Sequence, residues 1–220
     1  GPAWTSWDFN DLRTLYIHHR EVIFMKDTGN MELRVSDLYF PPVAFGTLSP
    51  KIGDLTELRQ LSIGGKAMKG DFPKDIGKLK KLYSLSIIRT GFESYPDEIF
   101  SLPAMKFFEI YYSPINKPVP TAIKYLPKDA QITIVGCGLT GSVPLEILER
   151  DNLTVILYEN NLTELPWEVW KDDSQLSIPG MVGNRLTGNI PDWVKETKRW
   201  QTYKSVVSRQ QEGYGYNNFD

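Results

Sequence analysis

Several residue groups in this 220-residue chain could carry chemistry. Glu109 and Glu159 would stand about 9–10 Å apart if they lay two strands from each other at ~4.8 Å per strand, a separation that suits an inverting pair of carboxylates. Gly136-Cys-Gly138-Leu-Thr-Gly141 is a literal G-x-G-x-x-G after the apolar run 132–135, and Glu159 follows 18 residues beyond its last glycine. That is the order of a dinucleotide-binding fingerprint. His18, His19 and Glu21 could ligate a metal. Cys137 could act as a nucleophile if its thiol were exposed and activated. Trp167 and Trp170 could stack on sugars. Phe107, Tyr111, Tyr112 and Tyr158 suit recognition, because a tyrosine offers a large contact area at low entropic cost and a polar tip.

The elements that position these groups must come from a repeat. Pro73, Pro96, Pro120, Pro144, Pro166 and Pro191 succeed one another at steps of 23, 24, 24, 22 and 25 residues. Each has Ile or Val three residues on: Ile76, Ile99, Ile123, Ile147, Val169 and Val194. Ser49 and Ile52 stand one period upstream, with Ser in place of Pro. Before each proline runs a short alternating apolar segment, as in Leu58, Leu61 and Ile63 or Leu82, Leu85 and Ile87, which predicts a strand with one buried face. The proline is expected to start the next segment as a first helical residue would. The turn between needs a group that satisfies bent backbone amides. Cys137, Asn160 and Asn184 can do so, while Lys66, Thr90 and Ser113 fill the same slot in earlier repeats. One unit cannot bury its own apolar side, but a stack can.

In this register the glycine motif loses its force. Cys137, Leu139, Gly141 and Pro144 occupy slots filled alike in neighbouring repeats, so the repeat explains every segment and the dinucleotide reading only one. An open strand face gives Glu109 and Glu159 neither a closed pocket nor a pKa raised by burial. Cys137 reads as a buried, inert ladder residue, Trp167 and Trp170 as space filling, and His18, His19 and Glu21 as cap surface. No catalysis, no cofactor and no metal are expected.

Composition narrows the partners. The chain has 25 Lys plus Arg against 27 Asp plus Glu, a net charge of −2, which excludes a protein built mainly to neutralise phosphates, so no nucleic-acid partner is expected. No apolar run approaches the ~18 residues of a membrane helix. A single cysteine excludes an intrachain disulfide. The chain opens Gly1-Pro2-Ala3-Trp4 without an initiator Met and is expected to be a trimmed form that has lost its signal or lipid anchor.

The spacing L-x-x-L-x-L-x-x-N/C-x-L-x-G-x-x-P resembles the leucine-rich repeat in its plant-type subclass of about 24 residues. Gly46-Thr-Leu-Ser-Pro-Lys-Ile-Gly-Asp-Leu-Thr-Glu-Leu58 and Asn184-Arg-Leu-Thr-Gly-Asn-Ile-Pro191 carry the resemblance, which covers roughly residues 33–194. It implies an α/β fold: a solenoid of about seven repeats with a curved parallel sheet on the concave face and short helical or 3-10 segments on the convex face. The organisation expected is one domain, with an N-terminal cap over 1–34, repeats over 35–194 and a C-terminal cap over 195–220. In the first cap, Trp4, Trp7, Phe9, Leu12, Leu15 and Tyr16 suggest a short helix. Residues 21–25 and 31–35, joined through Asp27-Thr-Gly-Asn30, read as a hairpin. Trp193, Val194 and Trp200 are expected to seal the other end. Arg199-Trp200 with Arg209-Gln-Gln-Glu-Gly-Tyr-Gly-Tyr216 resembles the closing tail of leucine-rich repeat proteins of gut Bacteroidetes, which implies an exported, cell-surface or extracellular location. The paired cap cysteines of plant receptor ectodomains are missing.

Function is expected on the concave face. One column of positions between the buried ones reads Gly64, Ile88, Tyr111, Val135, Tyr158 and Val182. A second reads Ser62, Ser86, Glu109, Thr133, Ile156 and Gly180. A third reads Gln60, Ser84, Phe107, Gln131, Thr154 and Ile178, and Tyr39 falls nearby in the first repeat. The first column predicts an exposed apolar and aromatic stripe. Such a patch marks an interface, yet strand propensity selects the same residue types, and sequence alone fits both. The expected ligand-binding residues are Tyr39, Ile88, Phe107, Glu109, Tyr111, Tyr112, Tyr158 and Glu159. The expected role is binding of a protein ligand by a monomer. A glycan ligand, or a spacer role in a longer exported protein, is the alternative.

Overall fold

The computed structural model describes residues 14–17, 20–23, 37–40, 45–48, 50–150 and 154–220. It is a mixed α/β chain with parallel strands and few, short helices. It divides into two compact units, residues 1–114 with 125–127, and residues 115–124 with 128–220.

The first unit opens with an antiparallel pair, β1 (Thr14–Ile17) and β2 (Arg20–Ile23), in the register Thr14↔Ile23 to Ile17↔Arg20. Residues 21–23, expected to pair with a segment at 31–35, thus pair with 14–16. Leu15, Tyr16, Ile17, Val22 and Ile23 are aromatic, β-branched or large apolar residues that favour paired strands, and this preference takes Leu15 and Tyr16 away from the expected helix. Residues 1–13, 18–19 and 24–36 lie outside the described residues. So do most of the expected helix, both histidines and the segment 31–35.

Four strands then align in parallel: β3 (Asp37–Phe40), β5 (Gln60–Gly64), β7 (Ser84–Ile88) and β9 (Phe107–Tyr111). Leu61 pairs with Leu85 and Leu85 with Phe108; Ile63 pairs with Ile87 and Ile87 with Ile110. All six are buried. Each buried aliphatic or aromatic side chain contributes about 1.5–3 kcal/mol of transfer free energy. A second parallel ladder, β4 (Phe45–Gly46), β6 (Ala67–Asp71) and β8 (Gly91–Ser94), runs on the chain's way out of each strand.

The second unit repeats the scheme with β10 (Gln131–Val135) beside β12 (Val155–Ile156), β11 (Thr140–Ser142) beside β13 (Asn161–Glu164), and β14 (Thr187–Gly188) beside β15 (Gly215–Tyr216), all parallel. The last expected strand shrinks to one bridge, Ile156↔Gly180. Ile178, expected on the solvent side, is 2% exposed. Pro179 explains the break, because it has no N–H to continue a ladder.

The proline period has one local cause. Each proline precedes its short helix by one residue, rather than opening it: Pro73 is extended (φ −70, ψ 138) before the 3-10 turn Lys74–Lys78. In all six cases the proline carbonyl accepts the amide of the Ile or Val three residues on, at 3.0–3.3 Å. That single i to i+3 bond drives the aliphatic side chain inward, and Ile76, Ile99, Ile123, Ile147, Val169 and Val194 are fully buried. Proline suits the site since it has no donor to leave unsatisfied and its φ is preset.

The slot after each strand is a polar ladder. In the first unit Ser113 Oγ accepts the Thr90 amide at 2.9 Å. In the second, Asn160 Oδ1 accepts the amides of Cys137 and Leu139 at 3.0 and 3.1 Å, and Asn184 Oδ1 accepts that of Leu162 at 3.1 Å. The C-terminal tail supplies the next rung, with Gln210 Oε1 accepting the Leu186 amide at 3.1 Å. Gln211 Nε2 reaches the carbonyls of Asn160 and Gly183 at 2.6 and 3.0 Å.

The helices α1 (Asp192–Lys195) and α2 (Lys198–Tyr203) begin this closure. Arg199 donates to the carbonyls of Val169, Ser174 and Leu176. Trp200 packs edge-on against Trp170 at 4.9 Å and against Phe219 at 5.5 Å. Val194 and Trp200 are buried as expected, but Trp193 is 42% exposed and seals nothing. It lies one residue before the inward-directed Val194, so the short helix turns it to solvent.

Candidate functional site

Alternation on β7 and β9 sends Leu85, Ile87, Phe108 and Ile110 inward and leaves Ile88, Phe107, Glu109 and Tyr111 on the other side. Parallel register sets Ile88 beside Tyr111, Ser86 beside Glu109 and Ser84 beside Phe107. Phe107 is 40% and Tyr112 45% exposed, whereas Ile88, Glu109 and Tyr111 are half-buried. The stripe is thus less open than expected. β5 presents only Gln60, Ser62 and Gly64 on this side, so the aromatic relief of the unit rises at β9. Tyr39 sits on β3 in register with Ser62; its side chain lies outside the described residues.

Tyr112 is not a strand residue. It follows β9 directly with φ +49, and Arg89 holds the equivalent place after β7 with φ +50. Gly65 holds it after β5. A left-handed backbone costs an L-residue with a Cβ about 1–2 kcal/mol and costs glycine little. Arg89 and Tyr112 bear that strain and meet: the guanidinium carbon lies 5.6 Å from the ring centroid. The contact returns about 0.5–1 kcal/mol at an exposed site, less than two strained residues cost. Arg89 makes no hydrogen bond or ion pair through its guanidinium among the described residues. Sequence reasoning missed Arg89. The signal was there, since Arg89 aligns with Gly65, Gly136 and Gly183, each immediately before the ladder slot.

The second unit places its residues differently. Glu159, just after β12, also has positive φ, +57, as have Gly136 after β10, Gly183 after the isolated bridge at Gly180, and Arg209 after the 3-10 turn Lys204–Val207. Glu159 is exposed, and its Cγ would stand 3.2 Å from a Cβ added at Gly183. Tyr158 is half-buried because its ring lies over Gly180, where an added Cβ would meet Cε1 at 2.5 Å. Tyr158 therefore covers neighbouring backbone instead of projecting freely. Val135 is 7% exposed. Glu109 lies mid-strand in the first unit and Glu159 in a turn of the second.

The remaining chemical candidates resolve into packing. Cys137 is 1% exposed and its thiol donates to the Val135 carbonyl at 3.2 Å. Gly136, Gly138 and Gly141 all have positive φ, but they lead into β11 and the three-residue turn Leu145–Ile147, with no helix N-terminus to receive a phosphate. A cavity of about 480 Å³ is lined by Lys128, Glu149, Arg150, Gln175 and Leu176. Arg150 there is 5% exposed and donates to the carbonyls of Ile147 and Ile123, so it braces two turns; burial lowers its pKa and Asp129 opposes the shift. Among the described residues no group of three His, Cys, Asp or Glu could hold a metal. Nor is any described helix long and apolar enough to cross a membrane. Trp170 is fully buried, while Trp167 is half-buried against Tyr216.

No protein-family model and no curated protein sequence matches the chain. Solved structures do resemble it. A TDR receptor crystal structure is 19% identical at a TM-score of 0.50, over 70% of this chain and 34% of its own. A plant ice-binding protein is 18% identical at 0.49, over 81% of this chain and 62% of its own. The plant peptide hormone receptor RGFR1 in complex with RGF2 is 20% identical at 0.49, over 82% of this chain and 38% of its own. The chain spans less than two thirds of each. The likeness to the TDR receptor supports a leucine-rich repeat fold.

Proposed function

We propose that this chain is a non-enzymatic recognition module whose open sheet face binds a protein ligand, within a leucine-rich repeat solenoid of about seven repeats. The carrying observation is Tyr112 with Arg89. Strand propensity accounts for Ile88 and Tyr111 but not for an aromatic residue at φ +49, where β-formers are disfavoured. Two strained neighbours that present an exposed ring and, against it, a guanidinium without a hydrogen bond or ion pair among the described residues mark a surface kept for binding, and backbone strain of this kind clusters at such sites. Phe107 and Tyr111 extend the aromatic ground, and Glu109 adds a carboxylate. Tyr and Arg are the residue types that anchor protein interfaces. The tail resemblance supports export to a bacterial cell surface.

The test is a screen of the chain against a panel of extracellular proteins, beside an Arg89→Gly/Tyr112→Gly double variant. A partner that is captured by the wild type and lost by an equally stable variant supports the reading. Capture unaffected by the variant, or no capture at all, overturns it.

A further inference from the structure

The second unit carries a cluster that the protein-binding reading does not use. Trp167 opens the turn Trp167–Trp170; Trp170 is fully buried, but Trp167 is half-buried and its indole N–H makes no hydrogen bond among the described residues. Tyr216 ends β15, and the two rings lie 5.5 Å apart, tilted by 42°. Glu164, at the end of β13, is exposed; its carbonyl accepts the Val143 amide, while its carboxylate makes no hydrogen bond among the described residues and stands near enough to the Tyr216 phenol to add to the rise in its pKa that burial causes. On the other side, Asn217 Nδ2 donates to Asn189 Oδ1 at 2.9 Å, and this exposed amide pair keeps further donors and acceptors open. Between them, Gly188 pairs with Tyr216 and has open space where a Cβ would stand. Two rings in tilted contact, a carboxylate without a hydrogen bond and a bare Gly188 thus gather at the last parallel pair, and the Asn189–Asn217 pair lies one residue beyond Gly188 and Tyr216.

We infer that this cluster is a carbohydrate-binding platform for a neutral, β-linked glycan. Such a sugar has one flat face of C–H groups and a rim of equatorial hydroxyls. The ring faces match the first, and Glu164 with the Asn189–Asn217 pair matches the second. An apolar peptide side chain seated here would bury Glu164 and the amides unpaired, at about 1–3 kcal/mol each, so an aliphatic partner is disfavoured. Space filling explains Trp170 but not a half-open indole with an uncommitted N–H beside an uncommitted carboxylate. The inference is independent of the protein-binding face on the first unit.

The experiment titrates the full chain with cellohexaose, xylohexaose and laminarihexaose by calorimetry. The wild type should bind at least one of them at millimolar concentration or better. Trp167→Ala should weaken binding by about tenfold or more. Glu164→Gln, an exposed substitution that leaves the fold intact, should weaken it several-fold with an unchanged melting curve. Arg89→Gly/Tyr112→Gly should bind as wild type, which separates this site from the protein-binding one. Binding to none of the three sugars overturns the proposal, as does binding that neither Trp167→Ala nor Glu164→Gln reduces.

Discussion

Arg89 and Tyr112 stand at equivalent positions of successive repeats, both left-handed, with cation and ring in contact at 5.6 Å. Either residue could be glycine without loss of backbone fit, as Gly136 (φ +65) and Gly183 (φ +75) are at the equivalent position in the second unit. Strain and contact together are what the proposed binding face rests on.

Arg89→Gly and Tyr112→Gly should each leave stability within about 1 kcal/mol of wild type, because relief of strain offsets the added entropy of the unfolded chain. Urea denaturation checks this. A loss above about 2 kcal/mol in either variant would make the pair a structural brace and remove the argument from strain.

The polar ladder predicts a graded series. Asn160→Ala strips the acceptor from two buried amides, those of Cys137 and Leu139, and should cost about 3 kcal/mol or more at 1–3 kcal/mol per stranded group. Gln210→Ala, at a half-buried side chain, strips the acceptor from one amide, that of Leu186, and a donor from the carbonyls of Met181 and Val207, and should cost less, about 1–2 kcal/mol. Equal losses in denaturant titrations would contradict this account of the ladder.

Much of this was legible in the sequence, and the reasons are local. The proline period, the buried Ile or Val three residues on and the Asn slots each depend on contacts repeated about every 24 residues, so they show as pattern. Arg89 did not show as a site residue, because it does not share a residue type with the glycines it aligns with; what it shares is a backbone angle. Tyr158 was expected to project, but its environment is set by the missing side chain of Gly180, 22 residues away. Ile178 was placed outward by strand alternation, and Pro179 ends the strand that alternation assumed. Leu15 and Tyr16, placed in a helix by their apolar spacing, pair with Val22 and Glu21 in a hairpin, because two adjacent β-prone runs can satisfy each other.

Gly180→Ala should destabilise by about 1–3 kcal/mol, since the added methyl would meet Tyr158 Cε1 at 2.5 Å. In a Tyr158→Ala background the same change should be nearly neutral. A double-mutant cycle measures the coupling, and additivity of the two changes would show that the ring does not rest on that backbone.

The alkaline limb of stability should report Tyr216. Burial first, and Glu164 second, raise its phenol above the usual 10.0, so the unfolded chain releases this proton before the folded one does. The contribution is complete below pH 10 and is lost as pH rises past it. Tyr216→Phe should flatten the fall of melting temperature above that pH and change nothing at neutrality. An unchanged alkaline limb would mean that the phenol titrates normally.

Ser113 serves Thr90, Asn160 serves Cys137 and Leu139, Asn184 serves Leu162, and Gln210 serves Leu186: every rung is lent backwards, by a later segment to an earlier one. The ladder is directional. Trimming from the N-terminal side removes clients and leaves the remaining lenders merely idle, while trimming from the C-terminal side removes a lender and strands its client. Truncations of equal length at the two ends should therefore be unequal in effect, and a ribosome-tethered nascent chain cannot complete any rung until the segment that supplies it has emerged.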